Sequence, residues 1–252
     1  MARRRHSNRR RRGSLGFLYK LLSMLVICGA IILALTLFFR VNTVAVTGQQ
    51  RYTQQQIVDA SGIQTGDNLF LLNKYDVANR IVTELPYIET IRINRKLPDT
   101  LLVEVQECSA VLAVVQENNA WIVSPTGKIV DRKAAAAADQ YPVIDGCTLL
   151  SPSVGTPIAL ATEYARRQES LLSLLGQLDR DGLLDQVDAI HLGEADVLTM
   201  DYAGRFQVEM HYHSDYSRDL RALTKTIEKL ETNETGTIQL TWDDGTVHFI
   251  GN

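Results

Sequence analysis

The chain has 252 residues, with 26 basic and 29 acidic side chains and a net charge of −3. Nine of the basic residues and none of the acidic ones precede residue 41, which leaves 17 basic against 29 acidic side chains, a net charge of −12, in 41–252. Such an acidic part is a poor candidate for nucleic-acid binding, and three cysteines are too few for a disulfide-built scaffold.

The run 21–39 has nineteen residues without a charge, and its polar side chains are Ser23 and Thr36. At about 1.5 Å rise per residue, a helix of this length spans about 28 Å, close to the hydrocarbon thickness of a bilayer. A buried helix of a soluble protein would have a polar face, and the residues from Arg40 to Thr43 do not resemble a signal-peptide cleavage site. We therefore predict an uncleaved transmembrane helix at 21–39.

The segment before this helix, 1–20, carries eight basic residues and no acidic one. Because basic residues beside a membrane helix stay on the cytoplasmic side, we predict a cytoplasmic tail at 1–20 and an extracytoplasmic location for 41–252. The arginines could instead contact nucleic acid. The run is short, lacks interleaved aromatic residues and adjoins the membrane, which favours a topological signal and contact with anionic lipids.

Between residues 41 and 107, the apolar pattern predicts a strand, two helices and two strands in that order. Thr53 and Gln56 form a capping-box pattern at the start of the first helix, and Gly62 ends it. Asp76 is the predicted N-cap of the second helix, which stops before Pro86. The predicted elements are a strand at 41–47, helices at 53–60 and 76–85, and strands at 88–95 and 100–107.

Five pieces of this region stand out: VNTVAVTG at 41–48, the helix end from Ile57 to Gly62, the GDNLF turn that begins at Gly66, the step LPYI at 85–88 and the segment RKLPDTLLVEVQE at 95–107. In this order they resemble the POTRA domain of the FtsQ/DivIB cell-division proteins. In the last piece, a basic pair and a loop proline precede an alternating strand that ends in Glu. The resemblance implies an α+β fold, with a POTRA-like domain of βααββ order at 41–109 and a mixed β domain with helices at 110–252.

Shorter strands and two helices are predicted after residue 110. An amphipathic helix is predicted at 160–178, a second at 217–230, and a surface loop or helical turn at Ala134–Ala138. The strands are predicted at 111–115, 121–124, 129–131, 187–192, 196–202 and 205–212. Strands at 237–242 and 246–250, joined by a loop at 243–245, are predicted to form a closing hairpin. The family's closing strand often begins with an Ile-Asp pair, whereas this chain has Ile238-Gln239.

The sequence contains no nucleophile, phosphate-binding or dinucleotide-binding motif, so we predict no catalytic residue, no cofactor and no metal. His211 and His213 would share a strand face and could meet one ion, but a third ligand is missing and exposed polar residues explain the pair equally well. His191 is predicted to be an ordinary surface or core histidine. Cys108 and Cys147 could form a disulfide or remain two separate thiols.

The resemblance implies a non-enzymatic, single-pass scaffold of the bacterial divisome at the division septum. It would join FtsL-like and FtsB/DivIC-like proteins and help regulate septal peptidoglycan synthesis, with no nucleic acid and no small-molecule substrate. The alternative is a membrane-anchored extracytoplasmic cell-wall enzyme with an unrecognised site in 110–252. POTRA domains also occur in outer-membrane assembly machinery, but the chain lacks the series of alternating strands of about ten residues that a membrane barrel requires.

The last predicted strand is the candidate partner-binding segment, formed by Thr246, Val247, His248, Phe249 and Ile250. If it pairs with 237–242, its other side is a sheet edge to which a partner could add a strand. The resemblance points to the same place, because FtsQ-like proteins bind their FtsB/DivIC partner near the C-terminal strands. The alternative is an ordinary edge strand that binds no partner and is protected from pairing because the polar His248 side chain keeps it hydrated.

Overall fold

A computed structural model describes residues 15–108, 111–193, 196–241 and 246–251. Most of the predicted basic tail and the predicted hairpin loop at 243–245 lie outside these ranges. The described residues form an N-terminal helix followed by two sheets, one of three strands and one of nine. The predicted α+β class is confirmed.

The first helix, α1 (Leu15–Phe38), is long and apolar enough over Gly16–Phe38 to cross a membrane. It begins earlier than the predicted span, because apolar residues precede Lys20 and one lysine does not interrupt a helix. It also ends one residue before the predicted limit. Phe39 packs instead against the core of the next domain, and its carbonyl oxygen accepts a hydrogen bond from the Leu69 N–H at 2.9 Å. The helix therefore enters the folded domain without a linker.

The first domain has the predicted order of strand, helix, helix, strand, strand. Its elements are β1 (Thr43–Thr47), α2 (Gln54–Ser61), α3 (Lys74–Glu84), β2 (Ile88–Lys96) and β3 (Thr100–Glu107). β3 is the central strand, parallel to β1 and antiparallel to β2. Its predicted alternation is confirmed, because Leu101, Val103 and Val105 are buried in one cluster with Ile57 of α2 and Ile81 of α3.

The start of α2 is as predicted and the start of α3 is not. Thr53 and Gln56 form both hydrogen bonds of the capping box, and Gly62 adopts the left-handed conformation that ends the helix. For α3, Asp76 as N-cap was wrong. Asn73 occupies the cap and accepts a hydrogen bond from the Tyr75 N–H at 3.1 Å. Asp76 lies in the first turn, where its carboxylate accepts a hydrogen bond from the Asn73 side chain.

The second domain is a mixed nine-stranded sheet with two helices. Its elements in chain order are β4 (Leu112–Gln116), β5 (Asn119–Val123), β6 (Ile129–Ala134), β7 (Val143–Asp145), α4 (Ala165–Arg180), β8 (Val187–His191), β9 (Val197–Tyr202), β10 (Phe206–His211), α5 (Tyr216–Ile227), β11 (Gly236–Gln239) and β12 (His248–Gly251). Across the sheet the order is β12-β11-β10-β9-β8-β7-β4-β5-β6. Leucines of α4 and α5 cover one face and form a common core with the buried residues of the strands.

Several predicted boundaries in this domain were wrong. The helix predicted from residue 160 begins at Ala165, after a 3-10 turn at Thr162–Tyr164. Leu160 is extended instead, because it forms a bridge with Leu149 and its N–H donates to the Gln168 side chain at 2.8 Å. The helix predicted to reach residue 230 ends at Ile227. In the alanine-rich stretch Ala134–Ala138, Ala134 ends β6 and the other residues form a 3-10 helix. Of the two predicted alternatives, a surface loop or a helical turn, the helical turn is therefore found.

The two domains contact each other through a small third cluster, in which Tyr87 of the first domain packs with Ile122 and Val130 of the second. The Tyr87 hydroxyl donates to the Asp131 carboxylate at 3.2 Å. Lys128 donates to the carbonyl oxygens of Val82 and Ile88 at 3.2 and 3.3 Å. Burial lowers the pKa of Lys128, which is consistent with an ammonium group enclosed between the domains.

Candidate functional site: the β12 edge

The candidate partner-binding segment ends the nine-stranded sheet. β12 pairs antiparallel with β11, with Thr237 opposite Ile250 and Gln239 opposite His248. Within the described ranges, the other side of β12 pairs with no strand. The predicted hairpin is therefore present, although its strand runs over His248–Gly251 rather than 246–250. Thr246 and Val247 precede the strand.

β11 spans Gly236–Gln239, shorter than the predicted strand 237–242, and the two residues that follow it continue to contact β10. The Leu240 N–H donates to the Glu209 carbonyl at 2.8 Å. The carbonyl oxygen of Thr241 contacts the Nε2 atom of the His211 ring at 2.8 Å.

The directions of the backbone N–H groups of β12 follow from β11. The N–H groups of Gly236 and Leu240 point to β10, where they donate to the carbonyl oxygens of Arg205 and Glu209. Because successive N–H groups of a strand alternate in direction, those of Thr237 and Gln239 point to β12. The backbone N–H and carbonyl groups of their partners, Ile250 and His248, therefore point to β11. The outer side of the strand presents the backbone groups of Phe249 and Gly251.

The side chains of β12 fix its position on one face of the sheet and leave apolar surface exposed on the other face. The Phe249 ring lies 6.2 Å from the Phe206 ring in an edge-to-face arrangement, at the rim of the large core. Ile250, on the opposite face, is 54% exposed. A strand edge with free backbone groups and exposed apolar side chains is a template for another strand.

Gly236 allows β12 to lie close to β11, and nothing in the sequence indicated this role. A Cβ atom at residue 236 would be 2.1 Å from the Ile250 carbonyl oxygen and 2.9 Å from the Gly251 Cα atom. Both neighbours are backbone atoms and cannot rotate away. A side chain at this position would therefore displace the edge strand.

His211 and His213 do not lie on one face of a strand, which the alternative of a metal site required. His211 ends β10, whereas His213 lies beyond it with a φ angle of 60°. The His211 ring contacts the Asp196 and Thr241 carbonyl oxygens, and the Nδ1 atom of His213 lies 3.3 Å from the Ser170 Oγ atom. In the described ranges, no group of three His, Cys, Asp or Glu side chains is arranged to hold a metal ion.

The contact between Ser170 and His213 also bears on the enzyme alternative, because a serine beside a histidine is a nucleophile pattern. Ser170 is 1% exposed, and its hydroxyl accepts a hydrogen bond from the His213 backbone N–H at 3.0 Å. A buried serine that is held by backbone atoms cannot reach a polymer substrate. This pair is therefore part of the packing between α4 and the loop after β10.

His191 was predicted to be an ordinary histidine, and the structure places it between two carboxylates. Its Nδ1 atom lies 2.9 Å from the Asp145 carboxylate, and its Nε2 atom lies 3.1 Å from the Asp201 carboxylate. Burial lowers the pKa of His191, but the hydrogen bonds to Asp201 and Asp145 outweigh it, so the pKa is raised above 6.5. The three residues lie on the neighbouring strands β8, β7 and β9, which only the strand register brings together.

Cys108 and Cys147 are free thiols, so the alternative of two separate cysteines describes the structure. Cys108 packs against the small cluster between the domains, and Cys147 packs against the large core. Burial raises the pKa of each thiol to about 11. Both thiols are therefore protonated and weakly reactive at neutral pH.

Comparison with known proteins identifies the first domain. Residues 39–107 match the family model described as POTRA domain, FtsQ-type. The first domain is a POTRA domain of the FtsQ type. This match contains β1 to β3 with α2 and α3, and it begins at Phe39, the residue that packs against the domain core.

Relatives with curated names extend the similarity beyond this domain. The chain is similar to cell division protein FtsQ of Geotalea daltonii, with 27% identity over 80% of this chain and 71% of the relative. It is also similar to cell division protein DivIB of Clostridium botulinum, with 29% identity over 51% of this chain and 50% of the relative. The chain thus spans about half the length of the first DivIB relatives that it matches, at 50% and 53%.

Proposed function

We propose that the protein is a non-enzymatic, single-pass scaffold of the bacterial divisome that links FtsL-like and FtsB/DivIC-like partners and helps regulate septal peptidoglycan synthesis. The observation that carries this proposal is the combination in one chain of α1, the FtsQ-type POTRA domain and a β12 edge that no further strand covers in the described ranges. The FtsQ and DivIB relatives are named cell division proteins, which supports the cellular process.

The proposed topology has residues 1–20 in the cytoplasm and both domains outside. It is supported by the eight basic residues that precede the uncharged run. Protease added to intact protoplasts should remove the two domains and spare a tag fused at the N-terminus. Digestion of the tag with protection of the domains would show the opposite orientation.

For the partner interface, we propose that a segment of an FtsB/DivIC-like protein adds a strand to the outer side of β12, at the candidate residues Thr246, Val247, His248, Phe249 and Ile250. Main-chain hydrogen bonds to the Phe249 N–H and carbonyl would supply affinity, and the exposed Ile250 side chain would supply an apolar contact. A plain protected edge remains the competing explanation.

Proline substitutions separate the two sides of this strand, because proline removes one backbone N–H group. Phe249→Pro should leave the pairing with β11 intact and weaken partner binding, since the Phe249 N–H points outward. Phe249→Ala is the matched control, because it loses the same ring contact with Phe206 but keeps the N–H group. His248→Pro should instead break the hairpin and lower stability, since its N–H points to β11.

The measurement is co-purification of the full-length protein with the FtsB/DivIC-like protein of the same organism, after membrane crosslinking. Thermal unfolding of each variant shows whether the hairpin is intact. Equal partner recovery with Phe249→Pro and Phe249→Ala, in folded proteins, would mean that the partner docks elsewhere. Digestion of cell-wall polymer by the purified domains would refute the non-enzymatic assignment.

A further inference from the structure

The loop 68–72 is attached to the last turn of α1. The Asn68 side-chain N–H₂ group donates to the carbonyl oxygens of Leu35 and Thr36, at 3.2 and 3.4 Å. These carbonyls belong to the last turn of the helix, where backbone acceptors run out of helical donors, although the Leu35 carbonyl also accepts from the Phe39 N–H at 3.4 Å. The Phe70 ring also packs edge-to-face against the Phe39 ring, with 5.1 Å between their centroids. The loop therefore lies directly beside the point where α1 ends.

This attachment places the loop at the boundary of the bilayer that α1 is able to span. The uncharged run 21–39 matches a hydrocarbon core of about 30 Å, so Phe39 lies near its edge. Asn68 contacts carbonyls three and four residues before Phe39, a distance of about 5 Å along the helix axis. Side chains beside Asn68 are thus at the depth where the headgroups begin.

The loop presents apolar side chains to its surroundings at this depth. Phe70 is 47% exposed and Leu71 is 77% exposed. They are two of the eight large apolar side chains outside α1 that are exposed in the ranges that the structure describes. In water such exposure is unfavourable, whereas in the interfacial region aromatic and aliphatic side chains are stabilised.

A second loop, 97–99, reaches the same end of the domain. The Asn42 backbone N–H donates to the Asp99 carbonyl at 2.9 Å, and the two side chains are hydrogen-bonded at 3.2 Å. Because Asn42 follows α1 by only four residues, this loop also lies near the helix exit. It carries Leu97, which is 55% exposed, next to the exposed cation Lys96.

The backbone of the first loop is already hydrogen-bonded, which lowers the cost of entering the interface. The Phe70 N–H donates to the Asn68 side-chain oxygen at 2.9 Å, and the Leu72 N–H donates to the Asn68 carbonyl at 3.1 Å. The Arg95 guanidinium donates to the carbonyl oxygens of Leu69 and Leu72. Arg95 and Lys96 also supply positive charge for headgroup phosphates.

We propose that Phe70, Leu71 and Leu97 insert into the headgroup region of the bilayer that α1 spans, so that the POTRA domain is seated on the membrane in a fixed orientation. The occupant of this surface is lipid, because the loop is bound to the membrane helix itself and combines apolar side chains with cations. The inference depends on α1 spanning a bilayer and is independent of the proposed partner interface.

The test uses the full-length protein in nanodiscs of phosphatidylcholine and phosphatidylglycerol. A Leu71→Cys variant carries a polarity-sensitive nitrobenzoxadiazole label, and Leu97→Cys is labelled in the same way. Leu150→Cys is the matched control, because Leu150 is 58% exposed in the second domain. We expect blue-shifted emission and strong quenching by doxyl-labelled lipid at residues 71 and 97, with neither effect at residue 150.

Selective labelling is practical in this chain. Cys28 lies within α1 and is replaced by Ser, while Cys108 and Cys147 remain, since their raised pKa values keep them unreactive at pH 7. Circular dichroism confirms that each labelled variant is folded, which the exposure of the leucines leads us to expect. Emission and quenching at residue 71 equal to those at residue 150 would overturn the proposal, even if a protein partner were later found to cover the loop.

Discussion

Val103 is the residue whose substitution tests the fold of the POTRA domain most directly. It is fully buried in β3, the central strand of the three-stranded sheet, and faces the two helices. The change Val103→Asp puts a carboxyl group into this core. Leu102→Asp is the matched control, because the neighbouring side chain points to the other face of the sheet and is only half-buried.

The expected loss is the sum of three effects at residue 103. Removing the buried valine side chain costs about 1.5 kcal/mol of apolar burial. Burying a carboxyl group without a hydrogen-bond partner costs about 2 kcal/mol more. Keeping that group protonated at pH 7, against a reference pKa of about 3.9, costs about 4 kcal/mol. The total of about 7.5 kcal/mol is comparable with the whole stability of a small domain, about 5–15 kcal/mol. The control should lose much less, since residue 102 lies on the other, partly exposed face of the sheet, which also carries the Glu104 carboxylate.

The assay is amide hydrogen exchange of the fragment 39–252, with peptides resolved for each domain. This fragment includes Phe39 because its ring packs against the domain core. Val103→Asp should remove protection from β1, β2 and β3, whereas β8 to β10 should keep most of theirs. Equal protection in Val103→Asp and wild type, or equal loss in the two variants, would refute the assignment of the buried face.

Three further predictions follow from individual contacts. Lys128→Met should separate the unfolding of the two domains into distinct calorimetric transitions, because the Lys128 ammonium bridges to Val82 and Ile88. His191→Gln should lower the melting temperature at about pH 5.5 and have little effect at about pH 8.5, since a raised histidine pKa stabilises the fold at low pH and this contribution is lost as pH rises through the folded-state value. Asn73→Ala should cost about 1 kcal/mol of stability in urea unfolding through loss of the α3 cap.

Each of these predictions has an outcome that contradicts it. A single unchanged transition in Lys128→Met would show that apolar packing alone couples the domains. A melting difference for His191→Gln that grows with pH would mean that the neutral ring is the stabilising form. A loss in Asp76→Ala equal to or larger than that in Asn73→Ala would place the cap of α3 at Asp76.

The N-terminal part of the fold, from α1 to β3, could be predicted from the sequence because its signals are local. The uncharged run, the capping box at Thr53 and the alternation in β3 each depend on neighbouring residues, and the βααββ order follows from them. Where two local signals competed, the prediction failed. Asn73 and Asp76 are both good N-cap residues, and only the backbone at Asn73 is extended as a cap requires.

Features that depend on residues distant in the chain appeared only in the tertiary structure. Leu160 continues a helical pattern in sequence, yet its bridge to Leu149 holds it extended. His191 meets two aspartates because three strands align in one register.

The candidate partner-binding edge at β12 likewise combines features that local sequence predicts with features that only the folded structure shows. The residues of the closing hairpin were predictable from a turn pattern between two apolar runs, whereas the free side of β12, the close approach at Gly236 and the outward Phe249 N–H depend on the pairing of β11 with β10. Local sequence determines which segments form strands. Their neighbours and their exposed edges are set by hydrogen bonds and packing between segments that the chain brings together only on folding.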